Sequence, residues 1–123
     1  MEVTYLNDET KLFKVVNVPF TEDLKEYCES ALKTAREQKE YFTGPLGNDV
    51  FQCSPMPWVT YTHISHTNSG KKENATPLFD WGRYYEKNGE MILPVSVQAH
   101  HSFVDGLHIG QFVDKLQKFF DEY

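Results

Sequence analysis

The most regular pattern in the chain lies near its C-terminal end, where Ile109, Phe112, Val113, Leu116, Phe119 and Phe120 fall at i, i+3, i+4, i+7, i+10 and i+11. Apolar residues at that spacing line one side of a helix, and Asp114, Lys115, Lys118 and Asp121 fill the other. A second amphipathic helix is predicted after Pro19. Thr21 serves as its N-cap, Glu22 and Asp23 occupy the first turn, and Leu24, Tyr27, Cys28, Ala31, Leu32 and Ala35 form one buried stripe. On that stripe Cys28 reads as core rather than as a nucleophile, because a reactive thiolate needs an exposed electropositive setting. Residues 3–6 and 12–18 read as strands flanking the polar turn Asn7-Asp8-Glu9. Gly44, Pro45 and Gly47 mark a loop before a further strand at residues 50–53. The run WVTYTHISH, residues 58–66, is aromatic and β-branched and reads as a strand with Trp58, Thr60, Thr62, Ile64 and His66 on one face. Residues 67–75 read as loop, with Lys71 and Lys72 a solvated pair. Gly89 sits in a turn joining residues 81–85 to 91–100 as a hairpin, the second arm apolar on both faces as a central strand would be. Strands and helices interleave without a regular βαβ repeat. The expected class is therefore α/β, a two-layer sandwich of mixed β-sheet with packed helices.

Composition narrows the function more than the fold. The 123 residues form one expected domain, 1–123, and are 40% hydrophobic and 15% aromatic, which excludes a disordered chain. Twelve Lys and Arg against eighteen Asp and Glu give a net charge of −6, so no basic stripe is present to neutralise phosphates, and nucleic acid is not an expected partner. No apolar run approaches the roughly 20 residues of a membrane span, and the N-terminus has neither a basic nor an apolar leader segment. Two cysteines are too few for a disulfide framework, and a reducing cytoplasm is the expected location.

Candidate chemistry is concentrated between the hairpin and the last helix, in His100-His101-Ser102-Phe103-Val104-Asp105-Gly106. Adjacent histidines at a strand end point to opposite faces, so one can remain in the core while the other projects into a cleft as a base. Imidazole is the side chain that accepts a proton at neutral pH without special tuning. Asp105 stands where a helix begins, favoured by the helix dipole and able to fix a tight loop by accepting backbone or cationic donors. Gly106 permits a close turn. A metal site is not expected, since His63 and His66 are an odd number of residues apart on the predicted strand and face opposite ways.

The stretch HHSFVDG followed by LHIGQFVDKLQ resembles the active-site signature of the chloramphenicol acetyltransferase family, in its HHxxxDG type. Upstream, Ser54-Pro55-Met56-Pro57-Trp58-Val59 and Pro77-Leu78-Phe79-Asp80-Trp81-Gly82-Arg83-Tyr84-Tyr85 resemble two further family segments. Glu9-Thr10, Phe13 and Tyr41-Phe42 extend the resemblance over nearly the whole chain. It implies acetyl transfer from acetyl-CoA, a co-substrate rather than a resident cofactor, to the primary hydroxyl of chloramphenicol. It further implies a direct reaction in a ternary complex, with no metal and no acyl-enzyme. His101 then matches the general base, Ser54 the donor to the tetrahedral oxyanion, and Asp105 a structural carboxylate paired with an arginine. Trp58 and Tyr84 match CoA contacts, with Arg83 beside them in place of a lysine, and Phe13, Tyr41 and Ile64 match the acceptor pocket. The implied assembly is a homotrimer whose sites lie between subunits, the base of one facing the pocket of its neighbour.

The resemblance is to about the C-terminal three-fifths of the family, so an N-terminal part is expected to be absent, and with it the arginine partner of Asp105. Arg36 and Arg83 are the only arginines in the chain. His66 and Asn68 stand at pocket positions that are usually apolar, which implies a more polar acceptor site. Two alternatives accompany this reading: a CoA-dependent O-acyltransferase acting on another alcohol, and a non-catalytic remnant that serves as a scaffold or CoA-binding module.

Overall fold

The computed structural model describes residues 1–43, 49–66 and 75–122. Strand β1 (Glu2–Leu6) turns back into β2 (Phe13–Asn17), and helix α1 (Leu24–Glu37) follows. Next come β3 (Gln52–Met56), β4 (Leu78–Gly82), a small ribbon of β5 (Tyr85–Lys87) and β6 (Glu90–Ile92), then β7 (Val95–Gln98) and α2 (Gly106–Glu122). The main sheet has the order β2-β1-β3-β4-β7. β1, β3 and β4 run parallel, and β2 and β7 are antiparallel to their neighbours. No helix among the described residues is long and apolar enough to cross a membrane.

The register places Val16, Val3, Cys53, Phe79 and Val97 in one row across the sheet. Ala35 of α1 packs on Val16, and Phe112 of α2 lies 5.3 Å from the Phe79 ring. Because side chains in one row share a face, both helices cover the same side, giving the expected two-layer α/β sandwich. The row one residue further on, Val15, Thr4, Ser54, Asp80 and Ser96, faces the other way and is mostly polar.

Local chemistry explains the turns. Asn7 Oδ1 accepts from the backbone N–H groups of Glu9 and Thr10 at 3.0 and 3.1 Å, fixing the β1–β2 connection as an Asx turn. Asn88 and Gly89 take φ of 56° and 84°, the pair of left-handed residues that a tight hairpin requires. The α1 cap is Asp23 rather than Thr21: the Asp23 carboxylate accepts from Glu26 N–H at 2.8 Å, while Thr21 donates its hydroxyl to the Asp23 carbonyl. The carboxylate sits three residues before the donor it satisfies, which Thr21 does not.

Three further expectations are corrected. Residues 58–66 do not form a strand; they run as irregular chain across the polar face of β4. There Val59 O accepts from Arg83 N–H at 2.7 Å, and Tyr61 donates its hydroxyl to Asp80 O at 3.0 Å. A Cβ on Gly82 would stand 2.7 Å from Val59 O, so only glycine admits this crossing. The expected apolar arm at residues 91–100 is split between β6 and β7, because Pro94 has no N–H to give a ladder; its carbonyl accepts from Gly82 N–H instead. Among the described residues β7 is an edge strand, not a central one. Cys28 is exposed, as are Leu24 and Leu32. α1 leans on the edge strand β2 through Tyr27, Ala31 and Ala35, so the column one step round the helix has no sheet beneath it. The loop marked by Gly44, Pro45 and Gly47 lies outside the described residues, as do Asn68, Lys71 and Lys72.

Candidate active site

Ser54 sits at the middle of β3 on the polar face. Its side chain lines a hollow of about 340 Å³ shared with Thr4, Phe13, Met56 and Trp58. The structure thus brings together an expected oxyanion donor, an expected acceptor contact and an expected CoA contact. The Ser54 hydroxyl makes no hydrogen bond to any described residue, so its O–H is available to a ligand. Tyr41 lies nearby: its carbonyl accepts from Val15 N–H of β2, its hydroxyl donates to Thr10 Oγ1 at 3.1 Å, and Phe42 meets Phe13 edge-on. Ile64 is half-buried in the irregular segment over β4.

Val59 O ties the segment that carries Trp58 to the backbone of Arg83. Tyr84, the next residue, turns the other way and lines a separate hollow with Met91, Phe112 and Leu116 beside α2. Trp58 and Tyr84 are both largely exposed.

Both histidines stand beyond the end of β7 at Gln98, in the turn that leads into α2, so strand alternation does not set their directions. His100 is half-buried, accepts at Nδ1 from Ser102 N–H at 3.2 Å, and lies 5.4 Å from the Phe103 ring. His101 is exposed. Its Nδ1 faces Val104 O at a long 3.4 Å; since a carbonyl only accepts, Nδ1 carries the hydrogen and Nε2 is left with the lone pair. Asp105 caps α2, with Oδ1 accepting from Leu107 N–H at 3.0 Å. In return His108 Nδ1 accepts from Asp105 N–H at 3.2 Å. This is a capping box with His in the place of Glu or Gln. The ring spends its Nδ1 lone pair on that bond, so its 3.4 Å approach to Oδ1 is proximity rather than an ion pair. No arginine pairs with Asp105 among the described residues.

His101 and Ser54 are not brought together within one chain. Gln98 pairs with Leu78 at the entry of β4, and the His101 turn follows beyond it. The hollow of Ser54 and Trp58 opens toward the exit of β3, where Met56 pairs with Gly82.

Between them lies a polar pair the motifs did not indicate. Asp80, the β4 neighbour of Ser54, is 0% exposed, and its Oδ2 meets His66 Nε2 at 2.9 Å. Its Oδ1 is buried with no hydrogen-bond partner. The available signal was a lone acid inside the apolar run Leu78-Phe79-Asp80-Trp81. On the opposite face burial pushes the Cys53 thiol up to about 11. Burial, then the charge of Asp80, likewise raises the Tyr61 hydroxyl.

The family model described as chloramphenicol acetyltransferase matches residues 2–117. A chloramphenicol acetyltransferase of Bacillus pumilus is 32% identical over 118 residues, covering 93% of this chain and 54% of the relative. Its counterpart from Vibrio anguillarum is 30% identical over 118 residues, covering 93% and 55%. A solved structure titled chloramphenicol acetyltransferase superposes with a TM-score of 0.82 at 20% identity, over 96% of this chain and 59% of its own. The chain spans about half the length of these curated relatives.

Proposed function

Since the chain belongs to the chloramphenicol acetyltransferase family, we propose that it transfers an acetyl group from acetyl-CoA to the primary hydroxyl of chloramphenicol. The observation that carries this reading is the continuous family match over residues 2–117, which takes in both the Ser54–Trp58 hollow and the His101 turn. In the proposed reaction His101 Nε2 removes the proton of the acceptor hydroxyl, and the oxygen attacks the thioester carbonyl. Ser54 donates its unspent hydroxyl to the tetrahedral oxyanion. Collapse expels the CoA thiolate, which recovers the proton from His101. Trp58, Arg83 and Tyr84 hold CoA, and Phe13, Tyr41 and Ile64 hold the acceptor. Acetyl-CoA is consumed and nothing is bound permanently.

The separation of His101 from Ser54 within one chain supports sites built between copies, with the His101 turn of one reaching the Ser54 hollow of the next in a homotrimer. Two unpaired cysteines and a CoA thioester as donor fit a cytoplasmic protein. The test is release of free thiol from acetyl-CoA in the presence of chloramphenicol, with His101→Ala as control. Chloramphenicol-dependent release that the substitution abolishes supports the reading. A folded chain that releases none returns the function to a CoA-binding or scaffold role. Transfer to a different alcohol is the second reading, and the polar pair His66–Asp80 beside Ser54 favours it.

A further inference from the structure

Helix α1 carries two apolar stripes, and the sheet uses one of them. Tyr27 and Ala31 pack with Ala35 against Val16 and Val18. One step round the helix, Leu24, Cys28 and Leu32 are spaced four apart and so line a single ridge. Leu24 and Leu32 are 51% and 48% exposed, and Cys28 is exposed between them. Phe20, four residues before Leu24, is 73% exposed. Apolar residues scattered singly on a surface need no explanation, whereas four at every fourth residue form a patch that marks a contact. Tyr27 stands at the inner border of the packed stripe, where its hydroxyl meets Met1 Sδ at 3.2 Å beside Cys53. The ridge is at the other border, beyond the β2 edge. A strand cannot cover it by joining the sheet there, because Val15 at the middle of that edge is already engaged. Its N–H donates to Tyr41 O and its carbonyl accepts from Gln38 Nε2, both at 2.8 Å. What fits beside α1 is a helix, which satisfies its own backbone groups.

We propose that this ridge is the interaction surface for a second copy of the chain, the two α1 helices packing antiparallel about a two-fold axis at Cys28. Charge selects this occupant. The first turn of α1 is acidic at Glu26 and the last is basic at Arg36, so an antiparallel copy sets each acidic end beside a basic one. Lys25 and Glu29 flank the ridge on its solvent side, one turn apart. A two-fold axis at Cys28 places Leu24 of each copy opposite Leu32 of the other. It also brings Lys25 within about 3 Å, along the helix axis, of Glu29 on the other copy, and it does so twice by symmetry. Phe20 then reaches the far end of the other helix, where Glu29, Leu32, Lys33, Arg36 and Glu37 border a hollow of about 350 Å³. The contact lies on the helix side of the sheet and leaves the Ser54 hollow, on the opposite face, open. It is therefore independent of acetyl transfer and of any assembly made through the His101 turn.

Two measurements on the full chain test this. Sedimentation velocity with the thiols reduced should show association that grows with protein concentration. Lys25→Glu sets like charges against each other at both flanks and should weaken that association about tenfold. Lys25→Glu combined with Glu29→Lys exchanges the charges and should restore it, a rescue that non-specific stickiness would not give. Leu32→Glu changes an exposed position, so the chain should stay folded while the helix contact is lost. The second measurement is a cross-link. Helices about 10 Å apart, each with a Cα radius of about 2.3 Å, bring the facing Cys28 Cα atoms to roughly 5 Å, within the range of a disulfide. Diamide, which takes two electrons and two protons from a pair of thiols, should join two chains through Cys28. The covalent dimer should persist in Cys53→Ala and be absent from Cys28→Ala and Leu32→Glu. A chain that is monomeric at every concentration overturns the proposal and leaves the ridge to a different partner. An association that Leu32→Glu leaves unchanged, or an exchange variant that associates no more tightly than Lys25→Glu alone, overturns it as well. Acetyl transfer measured alongside should be unaltered by Leu32→Glu, so failure of the α1 contact and failure of the transferase reading are told apart.

Discussion

Cys53 and Ser54 are consecutive on β3 and live in different chemical worlds. Cys53 belongs to the apolar row that ends under α1 and α2, where burial pushes its thiol up to about 11. Ser54 belongs to the polar row on the other face, where its hydroxyl is unspent and its cross-strand neighbour is a buried carboxylate. One step of backbone separates a residue held inert by its surroundings from one available for chemistry. The alternation of a strand does this without any special device. Changes on the apolar row should therefore act on stability, and changes on the polar row on activity.

The sharpest test lies at the base that the polar row needs but does not contain. His101→Ala should lower acetyl transfer by about 10²–10⁴-fold and leave the thermal midpoint unchanged, because the ring is exposed. Ser54→Ala should cost about 10²–10³-fold in kcat through the lost oxyanion donor, again with intact folding. If either loss of rate were matched by a loss of stability, the division between the faces would fail. Phe79→Ala is the converse: the ring contacts Phe51 and Phe112, and its removal should cost roughly 2–3 kcal/mol in denaturant titration, below the full core value because the site is only half-buried.

Asp105 tests whether its carboxylate acts on chemistry or on the helix. It caps α2 through Leu107 N–H, so Asp105→Ala should destabilise by about 1 kcal/mol, and Asp105→Asn by much less, because Asn caps as well as Asp. A loss of turnover common to both variants, larger than their loss of stability, would show that the charge itself serves the site.

The sandwich, both helices and the turns at Asn7 and Gly89 were legible in the sequence, because each rests on local spacing and turn chemistry. Residues 58–66 were not. Their alternation is that of a strand, yet Val59 and Tyr61 spend their bonds across β4, and only the neighbouring Gly82 makes room for that path. Cys28 was misread for a related reason: helical periodicity marks the stripe that could be buried, whereas the reach of the sheet decides how much of it is. Ser54, Phe13 and Trp58 were placed by motif resemblance, and the fold does gather them around one hollow. Asp80 was visible only as an acid in an apolar strand, and its partner His66 lies fourteen residues upstream, a pairing that no spacing rule supplies.

The smallest expected effect is also the one that reads the apolar face most directly. The Cys53 thiol is raised from 9.0 to about 11 by burial, so the native state keeps it protonated where the unfolded chain would ionise. Below about pH 9 both states hold the proton and the thiol gives no pH dependence. Between about pH 9 and pH 11 the unfolded state alone loses it, and stability falls as pH rises. Tyr27 and Tyr61 are raised as well and add to the upper end of that window. Subtracting the profile of Cys53→Ala from that of the parent chain isolates the thiol. Urea midpoints measured across the window should fall less steeply in the variant, and equal slopes would mean that Cys53 meets water in the folded chain. Alkylation near neutral pH supplies the same answer by mass: one adduct on exposed Cys28 and none on Cys53 until the chain unfolds.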